Sequence, residues 1–259
     1  MRTVLIIGAL LTCSLATLAH ASYLSVPGYN SGGTTDGIEG GGGMCMLNVS
    51  FAVVKDGNGI ITGGALSMVP QSKTIYLARR PAGSFDPAAV WDVLDGTGYS
   101  RRLGWNPGSG LADIPAGDSI WIQQVTASGG LKCYYAQNAN PAASANPLTK
   151  AYTYYGGMFG TAGSDTKWQW DQMMDHNAYA LDMADAQWAA GKTLSATYKL
   201  YIGDAGGNEI LNTQQQPMFT SATEVWTWTV PEPTTLCLMA TGTTLLARRR
   251  TCKRHANVM

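Results

Sequence analysis

Cys45–Lys55 reads CMLNVSFAVVK, Asp56–Gly59 follows as DGNG, and Ile60–Thr62 as IIT. An apolar run, a short Asp/Gly/Asn turn and a second apolar run are the marks of a β-hairpin. The same grammar continues along the chain. Strand-like runs fall at 73–78, 119–126, 131–136, 152–155, 167–171, 178–183, 194–202, 209–211 and 224–230. Turns such as Ser128-Gly129-Gly130 and Asp204-Ala205-Gly206-Gly207-Asn208 separate them. The one competing helix is Ala180–Ala190 (ALDMADAQWAA), with Gly191 placed to end it. About ten short strands with Gly/Asn/Asp turns predict an all-β fold, an antiparallel β-sandwich or jelly roll. No long internal period repeats, which sets aside solenoids and propellers.

Composition narrows the class. Of 259 residues 31 are Gly, 45% are hydrophobic and only 13% are charged, about half the charged share of an ordinary soluble domain. The chain is too apolar for intrinsic disorder and too Gly-rich for a helical bundle. Residues 22–229 read as one β-sandwich body large enough for a sizeable core. Within it, 28–43 reads as an entry loop and 137–147 as a long loop. The formal net charge of zero is unevenly distributed. Six of the 17 basic residues sit at the two ends, which leaves 11 against 16 acidic residues and a body near −5. An acidic body has no electrostatic footprint for nucleic acid, which is excluded as a partner.

The two ends read as addresses. Residues 1–21, MRTVLIIGALLTCSLATLAHA, carry one Arg, an apolar stretch and an Ala19-His20-Ala21 site. That is the plan of a secretory signal peptide cut after Ala21 by signal peptidase. At the other end Val230-Pro231-Glu232-Pro233 precedes an apolar stretch, Thr234–Ala247, and then Arg248-Arg249-Arg250. Residues 230–259 resemble the PEP-CTERM sorting signal of Gram-negative bacteria, in which a Pro-Glu-Pro motif, a short hydrophobic helix and a basic cluster occur in this order. The resemblance implies recognition by an inner-membrane exosortase and cleavage near Pro231, Glu232 and Pro233. It also implies delivery to the cell surface or the extracellular matrix. The physics of the parts agrees: two prolines keep the motif extended, and the arginines hold a cytoplasmic end. A stretch of 14 residues, 234–247, is short of the roughly 20 needed for a full span, so it reads as a transient inner-membrane anchor.

Processing at both ends leaves two cysteines in the body, Cys45 and Cys133, both in expected strands and bound for an oxidising compartment. A disulfide between them would close a loop of 133 − 45 = 88 residues, worth roughly 4–5 kcal/mol on the chain-entropy model. The body's one histidine, His176, lies in no catalytic motif and reads as a surface-loop residue, so no catalytic residue is assigned. The Asp56/Asn58 and Asp204/Asn208/Glu209 turns carry oxygen ligands of the kind Ca²⁺ takes, although turn chemistry explains them equally well. No other cofactor is implied.

Tryptophans sort by period. Trp168 and Trp170 share one strand face, as do Trp226 and Trp228 with Val230, and both sets read as core. Trp105, in Leu103-Gly104-Trp105-Asn106-Pro107-Gly108, reads as a loop aromatic that can stack on a sugar ring. The expected protein is therefore exported, sorted by an exosortase and non-enzymatic, with a structural, adhesive or glycan-binding body whose ligand is extracellular polysaccharide. The alternative is a secreted β-sandwich hydrolase acting on that polysaccharide.

Overall fold

The computed structural model describes residues 45–71, 74–85, 87–88, 91–138 and 152–232. The expected signal peptide, the entry loop, the sorting tail from Pro233 onward and most of the 137–147 stretch lie outside them. Among the described residues no helix is long and apolar enough to cross a membrane.

The opening hairpin forms as read. Strand β1 (Cys45–Lys55) pairs antiparallel with β2 (Ile61–Met68). Cys45, Leu47, Val49 and Phe51 are buried while Asn48 and Ala52 face out, the period-two pattern of a half-buried strand. Asp56 closes the turn by accepting the backbone N–H groups of Asn58 and Ile60, each at 2.8 Å. Gly59 takes the left-handed conformation, φ +81°, that the turn requires.

Thirteen further strands follow: β3 (Ile75–Tyr76), β4 (Ala78–Arg79), β5 (Thr97–Ser100), β6 (Leu103–Pro107), β7 (Ser119–Ala127), β8 (Lys132–Asn138), β9 (Tyr152–Met158), β10 (Lys167–Trp170), β11 (Asp175–His176), β12 (Ala178–Asp182), β13 (Thr193–Gly203), β14 (Phe219–Thr220) and β15 (Ala222–Thr229). They form three five-stranded sheets, ordered β11-β6-β1-β2-β14, β10-β7-β13-β15-β3 and β4-β5-β12-β8-β9. The all-β, sandwich-like architecture is as expected. Strictly antiparallel pairing is not, because β6 runs parallel to β1, β14 to β2 and β3 to β15.

The inner faces of all three sheets meet in one core. Trp105 of the first sheet lies 4.4 Å from Trp226 and 5.7 Å from Tyr198 of the second, centroid to centroid. Tyr179 of the third lies 4.6 Å from Trp228 and 5.5 Å from Trp226. These five rings are fully or almost fully buried, and such aromatic pairs contribute about 0.5–1.5 kcal/mol each beyond the area they bury.

The strand expected at 178–183 forms as β12, and the competing helix Ala180–Ala190 does not. Strand β12 is buried on both faces. Tyr179 and Leu181 point into the main core, while Ala178 and Ala180 pack in a second cluster with Phe85, Leu94, Tyr99 and Tyr134. A strand covered on both sides shows no alternation, so the run also reads as a helix. The remainder of that expected helix is a pair of Asx turns. Asp182 accepts the N–H of Ala184 at 2.8 Å and Asp185 that of Gln187 at 2.7 Å, the competition that disfavours Asp inside helices.

Trp226→Ala should lower unfolding free energy by about 3–5 kcal/mol in urea titrations, whereas Val225→Ala, at a site 50% exposed, should change it by less than ~0.5 kcal/mol. Equal effects at the two positions would contradict the inward and outward faces assigned to β15.

Candidate functional site

Trp105 is not a loop residue. It is 0% exposed, centred in β6 and paired with Leu47 of β1 on one side and Asp175 of β11 on the other. The expectation of an exposed sugar-stacking ring is corrected: the indole is a keystone of the core. Gly104 permits this, because a Cβ there would collide with the Asp175 carbonyl as β11 passes alongside.

Trp121 of β7 is a half-buried tryptophan on an outer sheet face. Ile120 and Ile122 point inward, so alternation turns Trp121 and Gln123 outward, a signal present in SIWIQQVT. Its indole N–H donates to the Asp204 carbonyl at 3.0 Å. The Lys167 ammonium lies 5.4 Å from the ring centroid and bonds the carbonyls of Gly206 and Gly207 at 2.9 and 3.0 Å. Tyr201, opposite Trp121 on β13, donates its hydroxyl to the Gly207 carbonyl at 2.9 Å. The 204–208 turn is thereby fastened over one end of this face. Gln123, Lys199, Thr197 and Val225 continue the face across the sheet.

The turn carboxylates are engaged by the fold itself. Asp204 Oδ1 accepts the backbone N–H of Gly206 at 2.8 Å and of Asn208 at 2.9 Å. These bonds from Asn208, followed by those from Gly206, hold its carboxyl below the usual range. Glu209 pairs with Lys199. Among the described residues no three His, Cys, Asp or Glu side chains are grouped to hold a metal ion.

Another polar assembly lies where β6 meets β11. His176 is half-buried in β11, not on a surface loop, and its carbonyl accepts the Arg101 guanidinium at 3.4 Å. Arg101 and Arg102 are each only 5% exposed and Asn177 is 0% exposed. Beside them Asp175 lies near the Asp171 carboxylate. Burial, then the Asp171 charge, pushes the Asp175 carboxyl from 3.8 to about 7. Tyr135, packed on Trp168 at 5.6 Å, is pushed up to about 12 by burial and then by the charges of Asp175 and Asp171. Above the pair, Met173 and Met174 are 63% and 55% exposed, and Gln172 takes a left-handed φ of 62°.

Cys45 and Cys133 are free thiols, both buried, which corrects the expected disulfide in this structure. Cys45 opens β1 in the first sheet and Cys133 lies in β8 of the third, where each fills core as a small apolar side chain. Burial pushes the Cys133 thiol up, which keeps it in the unreactive protonated form.

Of the expected processing residues, Ala19, Ala21 and Pro233 lie outside the described residues, and Pro231 and Glu232 lie inside them. The fold holds the chain as far as Val230, which is 1% exposed. Its N–H donates to Lys192 at 2.9 Å, and its carbonyl accepts the Gly191 N–H at 3.0 Å. Pro231 is half-buried and Glu232 exposed.

Residues 229–250 match the family described as the PEP-CTERM protein-sorting motif. The rest of the chain has no family match. No curated protein matches the chain. The match points to secretion or delivery to the cell surface and implies processing by an exosortase.

Two outcomes are expected of the purified protein. Cys45 and Cys133 should resist alkylation in native buffer and both label after denaturation without reductant; labelling that needs reductant would restore the disulfide. The raised carboxyl of Asp175 gives stability that is complete below the ordinary value of 3.8 and is lost as pH rises through about 7. Asp175→Asn should therefore remove a fall in unfolding free energy on the order of 2–4 kcal/mol between roughly pH 4 and 8. A wild-type slope in the variant's urea midpoints would refute this assignment.

Proposed function

We propose that this exosortase-sorted protein works without catalysis at the cell surface or in the extracellular matrix of a Gram-negative bacterium. Its β-sandwich would serve as a structural or adhesive module. The observation that carries the reading is the sorting motif at 229–250, which begins on the last strand of a packed body. On this reading signal peptidase removes residues 1–21, residues 22–229 form the working body, and the apolar stretch after Pro233 anchors the chain in the inner membrane until it is cut. Calcium has no part in the proposal, because Asp56 and Asp204 already serve as turn acceptors.

The surface best suited to extracellular polysaccharide is the outer face of the second sheet around Trp121. The half-buried Trp121 indole, the Lys167 and Lys199 side chains and Gln123 lie together on this face. Rings of this kind stack on the apolar faces of sugars, while the polar neighbours accept and donate hydrogen bonds.

One observation bears on the hydrolase alternative, namely the Asp171 and Asp175 carboxyls. Asp171 is committed to the backbone N–H of Met173, and Asp175 lies within β11, paired to Trp105 of β6, which favours a turn and stability role over hydrolysis of matrix polysaccharide.

Retention of the secreted protein on extracted matrix polysaccharide tests the adhesive reading. Trp121→Ala should weaken retention several-fold while the protein stays folded. Unchanged retention would remove the Trp121 face from the proposal, and polysaccharide shortening by the wild type would favour the enzyme. For the sorting half, Pro231→Ala combined with Pro233→Ala should leave the protein in the membrane fraction, and normal release of this variant would count against recognition of the motif.

A further inference from the structure

We infer that the folded body closes every peptide bond up to and including Val230–Pro231 to the processing enzyme. Release then leaves a chain ending at Pro231 or beyond, and a cut within Pro231–Pro233 puts the enzyme one or two residues from the body surface. This rests on the exosortase reading above and adds to it the position of the cut and the surface that must meet the enzyme.

Three observations carry it. First, the backbone before Pro231 is already paired on both sides. Thr229 is in register with Thr193 of β13 and with Tyr76 of β3, and its carbonyl accepts the Leu77 N–H at 3.0 Å. Val230 bonds Lys192 and Gly191 through both of its backbone groups. An enzyme that grips an extended peptide through main-chain hydrogen bonds finds none to make there. Second, the side chains that would be drawn out with such a segment are core: Trp228 is 0% and Val230 1% exposed. Extracting them opens the aromatic centre of the molecule. Third, the hold ends abruptly. Pro231 has no N–H to continue a ladder, so the next residue, Glu232, is the first exposed one, and its carboxylate sits over the Gly191 turn.

The same facts fix what the enzyme meets. For a cut within Pro231–Pro233 a tether of two residues reaches about 7 Å at most, so the active site then comes up against the rim around the exit. That rim is the exposed turn Ala189–Lys192. Gly191 takes φ +72° there, which points its N–H at the Val230 carbonyl. In the cut itself the amide bond breaks and the tail leaves as a free amine. The acyl carbon passes either to water, giving a new carboxyl, or to an acceptor amine, giving a new amide, and either product reports the same position.

The test uses the full chain in cells that release it. C-terminal peptide mass of the released protein should show an end at Pro231 or later, with or without an amine adduct. A six-residue Gly/Ser insertion between Val230 and Pro231 should be kept in the released product and should speed release several-fold, because the body no longer crowds the enzyme. An end at Val230 or earlier would overturn the inference, and so would an insertion that leaves the release rate unchanged. Recovery of native protein still ending at Met259 would instead overturn the exosortase reading on which it rests. The three failures are therefore distinguishable.

Discussion

One interaction carries the architecture: the stacking of Trp105, Tyr179, Tyr198, Trp226 and Trp228 at the place where three sheets converge. Each sheet supplies at least one ring, and only the third sheet buries its other face as well, against the cluster of Phe85, Leu94, Tyr99 and Tyr134. Remove the rings and the sheets lose their common partner, since short strands such as β3, β4, β11 and β14, two residues each, cannot hold a sheet by backbone pairing alone. The buried polar groups follow the same centre. Asn177 is wholly buried beside Tyr179, and the Tyr198 hydroxyl donates to the Gln124 side-chain carbonyl at 3.2 Å. The indole N–H groups of Trp105, Trp226 and Trp228 are buried without a hydrogen-bond partner among the described residues, so apolar ring contact, not polar pairing, holds the centre together.

Most of this could be read from the residues, and the exceptions share a cause. Long strands bounded by Gly/Asn/Asp turns were plain: β1, β7, β13 and β15 fall within a residue or two of where the pattern puts them. The inward set of β15, Trp226, Trp228 and Val230, followed directly from period two. What could not be read were strands whose pairing is non-local. Strand β6 has five residues, a Gly in second place and a Pro at its end, which is loop composition. It is extended because β1 lies beside it in parallel and β11 closes its other side. Trp105 was misplaced for that reason alone. Cysteine type and compartment suggested a bridge, but only tertiary placement shows two separate thiols.

The acidic excess of the body has a physical explanation in the same terms. Asp56, Asp171, Asp182, Asp185 and Asp204 each accept a backbone N–H two residues ahead. Asp95 accepts three, from Gly83, Ser84 and Phe85 at 2.6, 2.8 and 3.0 Å, and so fastens the segment that covers the outer cluster of the third sheet. A fold of many short strands needs many turns, and a carboxylate is the strongest acceptor a turn can use. Carboxylates committed in this way are poor candidates for metal ligands or for acid–base work, and they leave the outer sheet faces to Thr, Gln, Lys and Val.

The position of β15 ties folding to export. It sits between β13 and β3 in the second sheet, and its rings complete the aromatic centre, so the core cannot close until residue 230 has reached the far side of the membrane. Its parallel partner, Ile75–Tyr76, lies about 150 residues earlier in the chain, a pairing of high loop-closure cost that forms late. The sorting motif begins at the residue where that strand ends. Docking of β15 pairs the backbone groups of Thr229 and Val230 up to Pro231, which has no N–H to continue the ladder. Completion of the fold and definition of the processing site are therefore the same structural event, set by two hydrogen bonds at Val230 and a proline that makes none.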